Sequence, residues 1–434
     1  MRRSTRSSIT LLLCFVLSSV ISTAYSSDKT NSRSCASVES SYDGLSCEFH
    51  WNCTVGKLLS PWLSKYRFID RAELYNLNIS KFAHTPLLLR VLKGKLYCVQ
   101  HPRIREIRDN LRIKAYRALH YINRLNRILK NNPHAIPDAT EWWTHQGDLV
   151  KIPLEDGLLP IFSYAGSEGY ADIAGIPAAA LSDKMGKREE LAFQNIQKIP
   201  WEKRSSTAFF RGSLSDCFVA KEKFGGNVNY CVRAKIIFEA DRSKLAILKD
   251  IGASSSFRKQ GLNVNCSSCE KGIMSSQDFV KNICSHKYLL NLPGVGQSRR
   301  MAQLLRSGGA IFQSENKGYQ FYDYLLKPGF HYIPFEPQPG LPGLGNLVSR
   351  LNWARENDDA TKGIASRTKS YADNCLKERS IDYFVTSILE RYASLLIGNS
   401  SKFPLVDLSK CFAERESQSI SRLCKGVIQR CWFL

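Results

Sequence analysis

The stretch that decides the fold runs from Lys287 to Phe335 and reads KYLLNLPGVGQSRRMAQLLRSGGAIFQSENKGYQFYDYLLKPGFHYIPF. Its first apolar run, Tyr288 to Leu292, is closed by Pro293-Gly294, which predicts a buried strand. A glycine turn then leads into a helix with Ser298 as its N-cap, and Gly308-Gly309 ends that helix. A second buried strand, Ala310 to Phe312, follows. The stretch therefore predicts a βαβ unit.

The turn of this unit is suited to an anion. Its backbone N–H groups lie at a helix N-terminus, where the helix dipole favours negative charge. Arg299 and Arg300 fall in the first helical turn, where cations oppose that dipole unless a phosphate is bound. The alternative is an ordinary turn in the core of the protein, with two solvated arginines.

Three other segments decide between these alternatives by resemblance. They are GDLVKIPLEDGLLPIFSY at Gly147–Tyr164, STAFFRGS at Ser206–Ser213 and ENDDATKGIASR at Glu356–Arg367. Together with the Lys287–Phe335 stretch, and in this order, they resemble the protein O-glucosyltransferase family, which includes the Rumi, KDELC and capsule-associated proteins. The resemblance implies a GT-B-like α/β fold, in which two Rossmann-like domains face a cleft and a C-terminal helix packs back on the first.

The resemblance also implies a reaction and a set of site residues. The reaction is an inverting transfer of a glucosyl or xylosyl group from a UDP-sugar to a hydroxyl of a protein or glycan, without a metal cofactor. Asp148 would be the catalytic base, with Glu168 and Asp172 as rivals, although an aspartate after Gly147 also fits a simple turn cap. The UDP-sugar would be bound by Ser206, Arg211, Val295, Gly296, Gln297, Ser298, Arg299 and Arg300.

These residue types suit the chemistry. An acceptor hydroxyl loses its proton as it attacks an anomeric carbon, and a carboxylate within hydrogen-bond reach accepts that proton. Arg211 follows a predicted strand, Thr207 to Phe210, and a guanidinium there can grip a diphosphate and neutralise the charge on departing UDP. No DxD triplet occurs in the sequence; the nearest match, Glu239-Ala240-Asp241, lies in a helical pattern. No metal is expected.

Composition narrows the possible partners. The chain has 434 residues and a formal net charge of +22, which favours anionic partners such as a nucleotide-sugar. The basic residues are dispersed, and neither an RRM-type aromatic motif nor zinc-finger spacing is present, so nucleic acid is not an expected partner.

The first 27 residues predict a secretory signal peptide. Three arginines precede an apolar run, Ile9 to Ile21, and small residues Ser22, Thr23 and Ala24 follow it. A type II signal anchor is the alternative, and a membrane is a partner only if this segment stays uncleaved. We expect a protein of the endoplasmic reticulum or Golgi lumen, or a secreted one; the last four residues, CWFL, are not a KDEL-type signal.

Thirteen cysteines follow this segment, and in a secretory chain they predict disulfides with at least one cysteine left over. Cys266-Ser-Ser-Cys269 has half of a zinc-site spacing, but no second half exists, so we expect a disulfide within a loop. Four sequons, at Asn52, Asn78, Asn265 and Asn399, fit a glycosylated lumenal protein.

The predicted domain order is an acceptor-side α/β domain at 28–180, a nucleotide-sugar domain at 181–345 and a helical segment at 346–434. Ser26 to about Pro61 is predicted as a disulfide-tied segment, and Ile104 to Leu129 as one amphipathic helix. Gly225 to Gln260 is interpreted as an insertion. An apolar stripe predicts a C-terminal helix with Ile381, Phe384, Val385, Ile388, Leu389, Tyr392, Leu395 and Leu396 on one face.

One segment departs from the family. Ile176-Pro177-Ala178-Ala179-Ala180 stands where relatives have a tryptophan-rich stretch that shapes the acceptor site. The epidermal-growth-factor-repeat acceptor of the founding members is therefore not assumed, and a polysaccharide acceptor stays open. The alternative function is a catalytically degenerate lumenal binding protein on the same scaffold.

Overall fold

A computed structural model describes residues 47–65, 68–76, 86–101, 115–145, 161–167, 172–177, 191–196, 199–214, 217–294, 300–314, 318–337, 343–411, 427 and 430–431. The predicted signal segment lies outside these residues. Cys47–Leu434 forms one compact unit. Its helices are α1 (Cys47–Lys65), α2 (Arg71–Asn76), α3 (Ala115–Asn131), α4 (Phe218–Lys223), α5 (Val232–Ser243), α6 (Ser276–Ser285), α7 (Arg300–Ser307), α8 (Leu347–Glu356), α9 (Asp358–Cys375) and α10 (Glu378–Ala393).

The strands are β1 (Ile69–Asp70), β2 (Pro86–Leu92), β3 (Lys95–Val99), β4 (Glu141–His145), β5 (Ile161–Phe162), β6 (Gly166–Ser167), β7 (Asp172–Ile173), β8 (Ser205–Gly212), β9 (Asp250–Ala253), β10 (His286–Asn291), β11 (Ala310–Ser314), β12 (Gly318–Tyr319), β13 (Ile333–Phe335), β14 (Leu396–Ile397) and β15 (Leu405–Asp407). The predicted α/β class is confirmed.

A mixed six-stranded sheet has the order β15-β3-β2-β4-β5-β7. Its hairpin, β2–β3, turns at Lys93-Gly94, where both residues have positive φ, as a two-residue type I′ turn requires. The strand β2 is buried along nearly its whole length, so it forms the centre of this sheet. The parallel pairs β4–β5 and β5–β7 complete the side of the sheet that leads toward Asp172.

The second sheet is five-stranded and wholly parallel, in the order β13-β11-β10-β8-β9. Every residue of β10 is buried, as expected for a strand with helices on both faces. The predicted βαβ unit is present: β10, α7 and β11 follow one another, and Met301, Leu304 and Leu305 of α7 are buried against the sheet. Gly308 ends α7 with φ of 73°.

The C-terminal part of the chain joins elements from its beginning. β14 pairs with β1 and β15 pairs with β3, while disulfides link Cys47 to Cys375 and Cys98 to Cys431. A buried polar group lies beneath this junction: the Arg90 guanidinium and the Tyr75 hydroxyl donate to the Glu141 carboxylate, and Ser401 N donates to that hydroxyl at 2.6 Å. Covalent, strand and ionic contacts thus join α1, β1 and β3 to the C-terminal elements β14 and β15 and to Cys375 and Cys431.

The structure refines three local predictions. Residues from Cys47 to Pro61, predicted as part of a disulfide-tied segment, lie in the helix α1, because Trp51, Val55 and Leu58 bury one helical face, and Cys47 is bonded to Cys375. Gly225–Gln260 is not an insertion: it supplies α5 and the edge strand β9. The helix α10 ends at Ala393, so Leu395 and Leu396, although buried, lie beyond it.

Of the predicted Ile104–Leu129 helix, the part from 104 to 114 lies outside the described residues, and α3 confirms the rest. Cys266 and Cys269 are bonded to each other, as predicted, and so are Cys217 and Cys231. Cys284 carries a free thiol. None of the described helices combines the length and the apolar character that a bilayer crossing requires.

Candidate functional site

The parallel sheet has a topological switch point between β8 and β10. From β8 the chain moves outward to β9, and then it crosses back to β10 and continues through β11 and β13 on the other side. In open α/β sheets of this kind, ligands bind at the carboxyl ends of the two strands where the order reverses. Here those ends are Arg211-Gly212 and Asn291-Leu292.

Arg211 lies on the face of β8 that packs against α6. Side chains alternate along a strand, so Arg211 shares this face with Phe209, whose ring lies 6.1 Å from that of Phe279. Burial lowers the pKa of the Arg211 guanidinium, and the nearby Asp250 carboxylate raises it. Arg211 Nε is buried and makes no hydrogen bond within the described part of the chain. A buried donor of this kind suits an anionic acceptor.

Arg300 approaches the same strand end from the other face. It is the first residue of α7, and its guanidinium carbon lies 4.6 Å from the centre of the Phe210 ring. A Cβ added to Gly212 would lie 2.5 Å from Arg300 Nη2, so glycine at this position gives the guanidinium its room. The two predicted diphosphate arginines therefore flank the end of β8, one on each face.

Other predicted donor-binding residues are placed differently. Ser206 is exposed near the amino end of β8, five residues and roughly 17 Å of extended strand from Arg211. Val295, Gly296, Gln297, Ser298 and Arg299 lie outside the described residues. The part of each in donor binding stays a prediction.

A third arginine, Arg233, was missed by the sequence analysis. It lies in the first turn of α5 and is 4% exposed. Its guanidinium carbon lies 5.8 Å from the centre of the Phe210 ring, and the guanidinium carbon of Arg300 lies 4.6 Å from the same centre. No motif in the sequence marks this arginine, and α5 lies within the region interpreted as an insertion.

The mixed sheet contains one of the three candidate bases, Asp172. Asp148 and Glu168 lie outside the described residues. Asp172 is wholly buried in β7, and its carboxylate is 2.7 Å from His145 Nε2 at the end of β4. A carboxylate so enclosed and paired cannot readily reach an acceptor hydroxyl, which argues against Asp172 as the base.

The two sheets meet at a short antiparallel bridge of β6 and β12. The Tyr319 ring covers Gly166 so closely that a Cβ there would lie 2.3 Å from it. Burial raises the pKa of the Tyr319 hydroxyl, a hydrogen bond with Tyr324 lowers it, and the Asp172 charge raises it. The His145–Asp172 pair is therefore electrostatically coupled to the segment that leaves the parallel sheet.

Among the residues that the structure describes, one group of side chains has the composition of a metal site, namely Asp241, Cys266 and Cys269. Because the two sulfurs are joined in a disulfide, neither is a thiolate able to coordinate an ion. Asp241 is instead engaged by the Ser268 hydroxyl at 2.9 Å. The cluster therefore stabilises the end of α5 through a disulfide and a hydrogen bond. It says nothing about whether catalysis needs a metal.

The family described as "Glycosyl transferase family 90" matches residues 53–404. Similar curated proteins include Protein O-glucosyltransferase 1 of Bos taurus, 26% identical over 259 residues, which are 56% of this chain and 59% of the relative. O-glucosyltransferase rumi of Drosophila melanogaster is 24% identical over 249 residues, 55% of each chain.

Protein O-glucosyltransferase 2 of Danio rerio is 24% identical over 297 residues, which cover 65% of this chain and 54% of that protein. The resemblance predicted from the motifs is confirmed. The matched part spans between 54% and 59% of these three relatives' lengths.

Proposed function

The chain belongs to glycosyl transferase family 90, and from this premise we propose that it transfers a glucosyl or xylosyl group from a UDP-sugar to a hydroxyl, with inversion. The observation that carries the proposal is the placement of Arg211 and Arg300 on the two faces of the end of β8, at the switch point of the parallel sheet. A diphosphate crossing this strand end would meet one guanidinium on each side.

The proposed architecture is GT-B-like. The parallel sheet would form the donor domain and the mixed sheet the acceptor domain, with the chain divided near residues 180 and 345. Support comes from the two separate sheets and from the return of β14 and β15 to strands of the N-terminal half. In this arrangement the donor lies between the domains, with its sugar toward the mixed sheet.

The proposed chemistry uses one carboxylate and two arginines. Asp148 takes the proton of the acceptor hydroxyl while the oxygen attacks the anomeric carbon from the side opposite UDP. The bond to the UDP oxygen breaks, and negative charge develops on the departing diphosphate. Arg211 and Arg300 stabilise that charge, which is the task a divalent cation would otherwise perform. We therefore propose metal-independent transfer.

The proposed acceptor is a hydroxyl of a protein or glycan in the secretory pathway, reached as a lumenal or secreted enzyme. Relatives named as protein O-glucosyltransferases support a protein acceptor, and the disulfides support an oxidising compartment. Gly175 packs against the Phe162 ring, and Ile176 is buried beside it. Small and aliphatic residues here would shape an acceptor pocket without the aromatic wall of relatives.

The test is release of UDP by the full secreted chain from UDP-glucose, UDP-xylose and other UDP-sugars, with and without EDTA. We expect release from at least one of the first two, stimulated by peptide or glycan acceptors and unchanged by EDTA. No release from any donor would favour the degenerate binding protein. Release abolished by EDTA and restored by a divalent cation would contradict the metal-independent chemistry.

A further inference from the structure

Arg233 spans the switch point of the parallel sheet. Its Nη1 donates to Ser213 O at 2.5 Å, and its Nη2 donates to Leu292 O at 3.4 Å. Ser213 follows the end of β8, and Leu292 follows the end of β10. One guanidinium therefore connects the two chain segments that lead into the two halves of the proposed diphosphate site.

The same side chain is anchored from behind. The residue two positions before it, Cys231, is bonded to Cys217, which fixes the start of α5 against the segment that leaves β8. Ala253 and Gly212 extend this frame, because Ser254 N donates to Gly212 O at 2.8 Å. The guanidinium thus projects from a fixed point onto two carbonyls, rather than from a loose surface helix.

Phe210 couples Arg233 to Arg300. Both guanidinium carbons lie near the same aromatic ring, at 5.8 Å and 4.6 Å from its centre. Cation–π contact with an aromatic face is favourable for each arginine. A shift of Arg233 would therefore move Ser213, Leu292 and the ring on which Arg300 rests.

We infer that Arg233 is a positioning residue for donor binding: it sets the distance between the β8 and β10 ends, and so between Arg211 and Arg300, without touching the donor itself. This inference rests on the proposed function. The planar fork of a guanidinium can donate to two carbonyls in fixed directions, whereas a lysine ammonium supplies the charge without the fork. Charge alone should therefore not replace it.

The test is calorimetric titration of UDP into the full chain carrying Arg233→Lys or Arg233→Gln. We expect UDP binding about tenfold weaker in both, with a matching rise in the donor KM and no change in the acceptor KM. The matched control is Arg242→Lys in the last turn of the same helix, where the arginine is 65% exposed and rests on Phe238. Its UDP affinity should stay within twofold of the unmodified protein.

Binding of UDP by both Arg233 variants within twofold of the unmodified protein would overturn the inference and leave the proposed function standing. An unmodified protein that binds no UDP would overturn both. If neither variant folds, hydrogen exchange on the unmodified protein decides. UDP should then protect the peptides containing Ser213 and Leu292 together, and protection of only one would overturn the inference.

Discussion

The strands of the two sheets are distributed differently along the sequence. The parallel sheet takes all its strands from one stretch, Ser205 to Phe335, whereas the mixed sheet combines strands from Pro86 to Ile173 with one at Leu405–Asp407. Among the described residues, the two short disulfides, Cys217–Cys231 and Cys266–Cys269, lie beside the parallel sheet and join residues 14 and 3 positions apart. Cys98–Cys431, which starts on β3 of the mixed sheet, spans 333 positions, and Cys47–Cys375, which joins α1 to α9, spans 328.

The difference indicates a division of labour. A local, sequentially wound sheet offers strand ends and a helix N-terminus for a phosphate, which is the arrangement at Arg211 and Arg300. We propose that the mixed sheet, in which β15 joins strands of the N-terminal half, forms the wall of the acceptor site. Donor affinity and chemistry should therefore respond to changes in different halves of the molecule.

The strongest separation is expected from Asp148→Asn. Because the amide cannot accept the acceptor proton, transfer should fall about a thousandfold, within the range typical of a lost general base. UDP affinity should stay nearly unchanged, because the substitution leaves both proposed diphosphate arginines intact. UDP titration and transfer rates measure both, with Asp156→Asn in the same stretch as control. Parallel loss of binding and transfer would point to a folding role.

Glu141→Gln should lower the free energy of unfolding strongly, because Glu141 joins β4 to Arg90 of β2 in the mixed sheet. This change leaves the Arg90 guanidinium, 5% exposed, without its buried carboxylate, and such losses cost about 3–5 kcal/mol. Denaturant unfolding measures the free energy. The control is Glu202→Gln in the other half, whose partner Lys362 is a surface residue, and there the midpoint should barely move. Equal effects would contradict the comparison.

The long-range disulfide should matter more than the short one. In the loop-closure description, removing Cys98–Cys431 should cost about 2 kcal/mol more than removing Cys217–Cys231, even with Cys47–Cys375 still in place. Paired cysteine-to-serine variants compared by denaturant unfolding test this. A larger loss from the short disulfide would show that the parallel half is the less self-sufficient one.

The smallest effect concerns Asp323, in the segment that follows the bridge between the sheets. Burial raises the pKa of its carboxyl to about 7, although Gln320 N donates to it and lowers the pKa. The ionised form is therefore penalised in the folded state, most fully above pH 7, and the penalty fades as the pH falls toward 4. Asp323→Asn should stabilise the fold by about 1 kcal/mol at pH 8, since the side chain is half-buried.

The same variant should change stability less at pH 4.5, because the folded carboxyl is protonated there and only a small part of the ionisation penalty remains. Thermal unfolding at the two pH values measures the difference. A gain that is equal at both would mean that packing, and not ionisation, carries the effect.

Sequence reasoning succeeded where structure is local. The run Tyr288–Leu292, the glycine turn and the stripe on α7 predicted the βαβ unit, because period and turn chemistry are written in consecutive residues. It missed β9, whose four residues, Asp-Ile-Gly-Ala, contain one large apolar side chain. Only the sheet edge beside β8 makes those residues a strand, and Gly252 is needed because Lys271 passes close over it.

The helix α1 was missed for a similar reason. Serine, cysteine and glycine dilute its apolar pattern, yet the burial of Trp51 and Leu59 against the rest of the fold stabilises it. The pairing of Arg90 with Glu141, and the bridge of Arg233 between Ser213 and Leu292, join residues far apart in sequence. No local pattern in the sequence indicates such contacts.

The most direct test of the central claim is the affinity for UDP, measured by calorimetry in EDTA, of the unmodified chain, Arg300→Ala and Arg306→Ala. Arg306 lies on the same helix but at its other end, against the Phe193 ring. We expect the unmodified chain to bind UDP without metal. Arg300→Ala should weaken binding about a hundredfold, because the contact between the guanidinium charge and the phosphate is lost, and Arg306→Ala should leave it nearly unchanged. Equal affinity in all three proteins would contradict a diphosphate site at the end of β8.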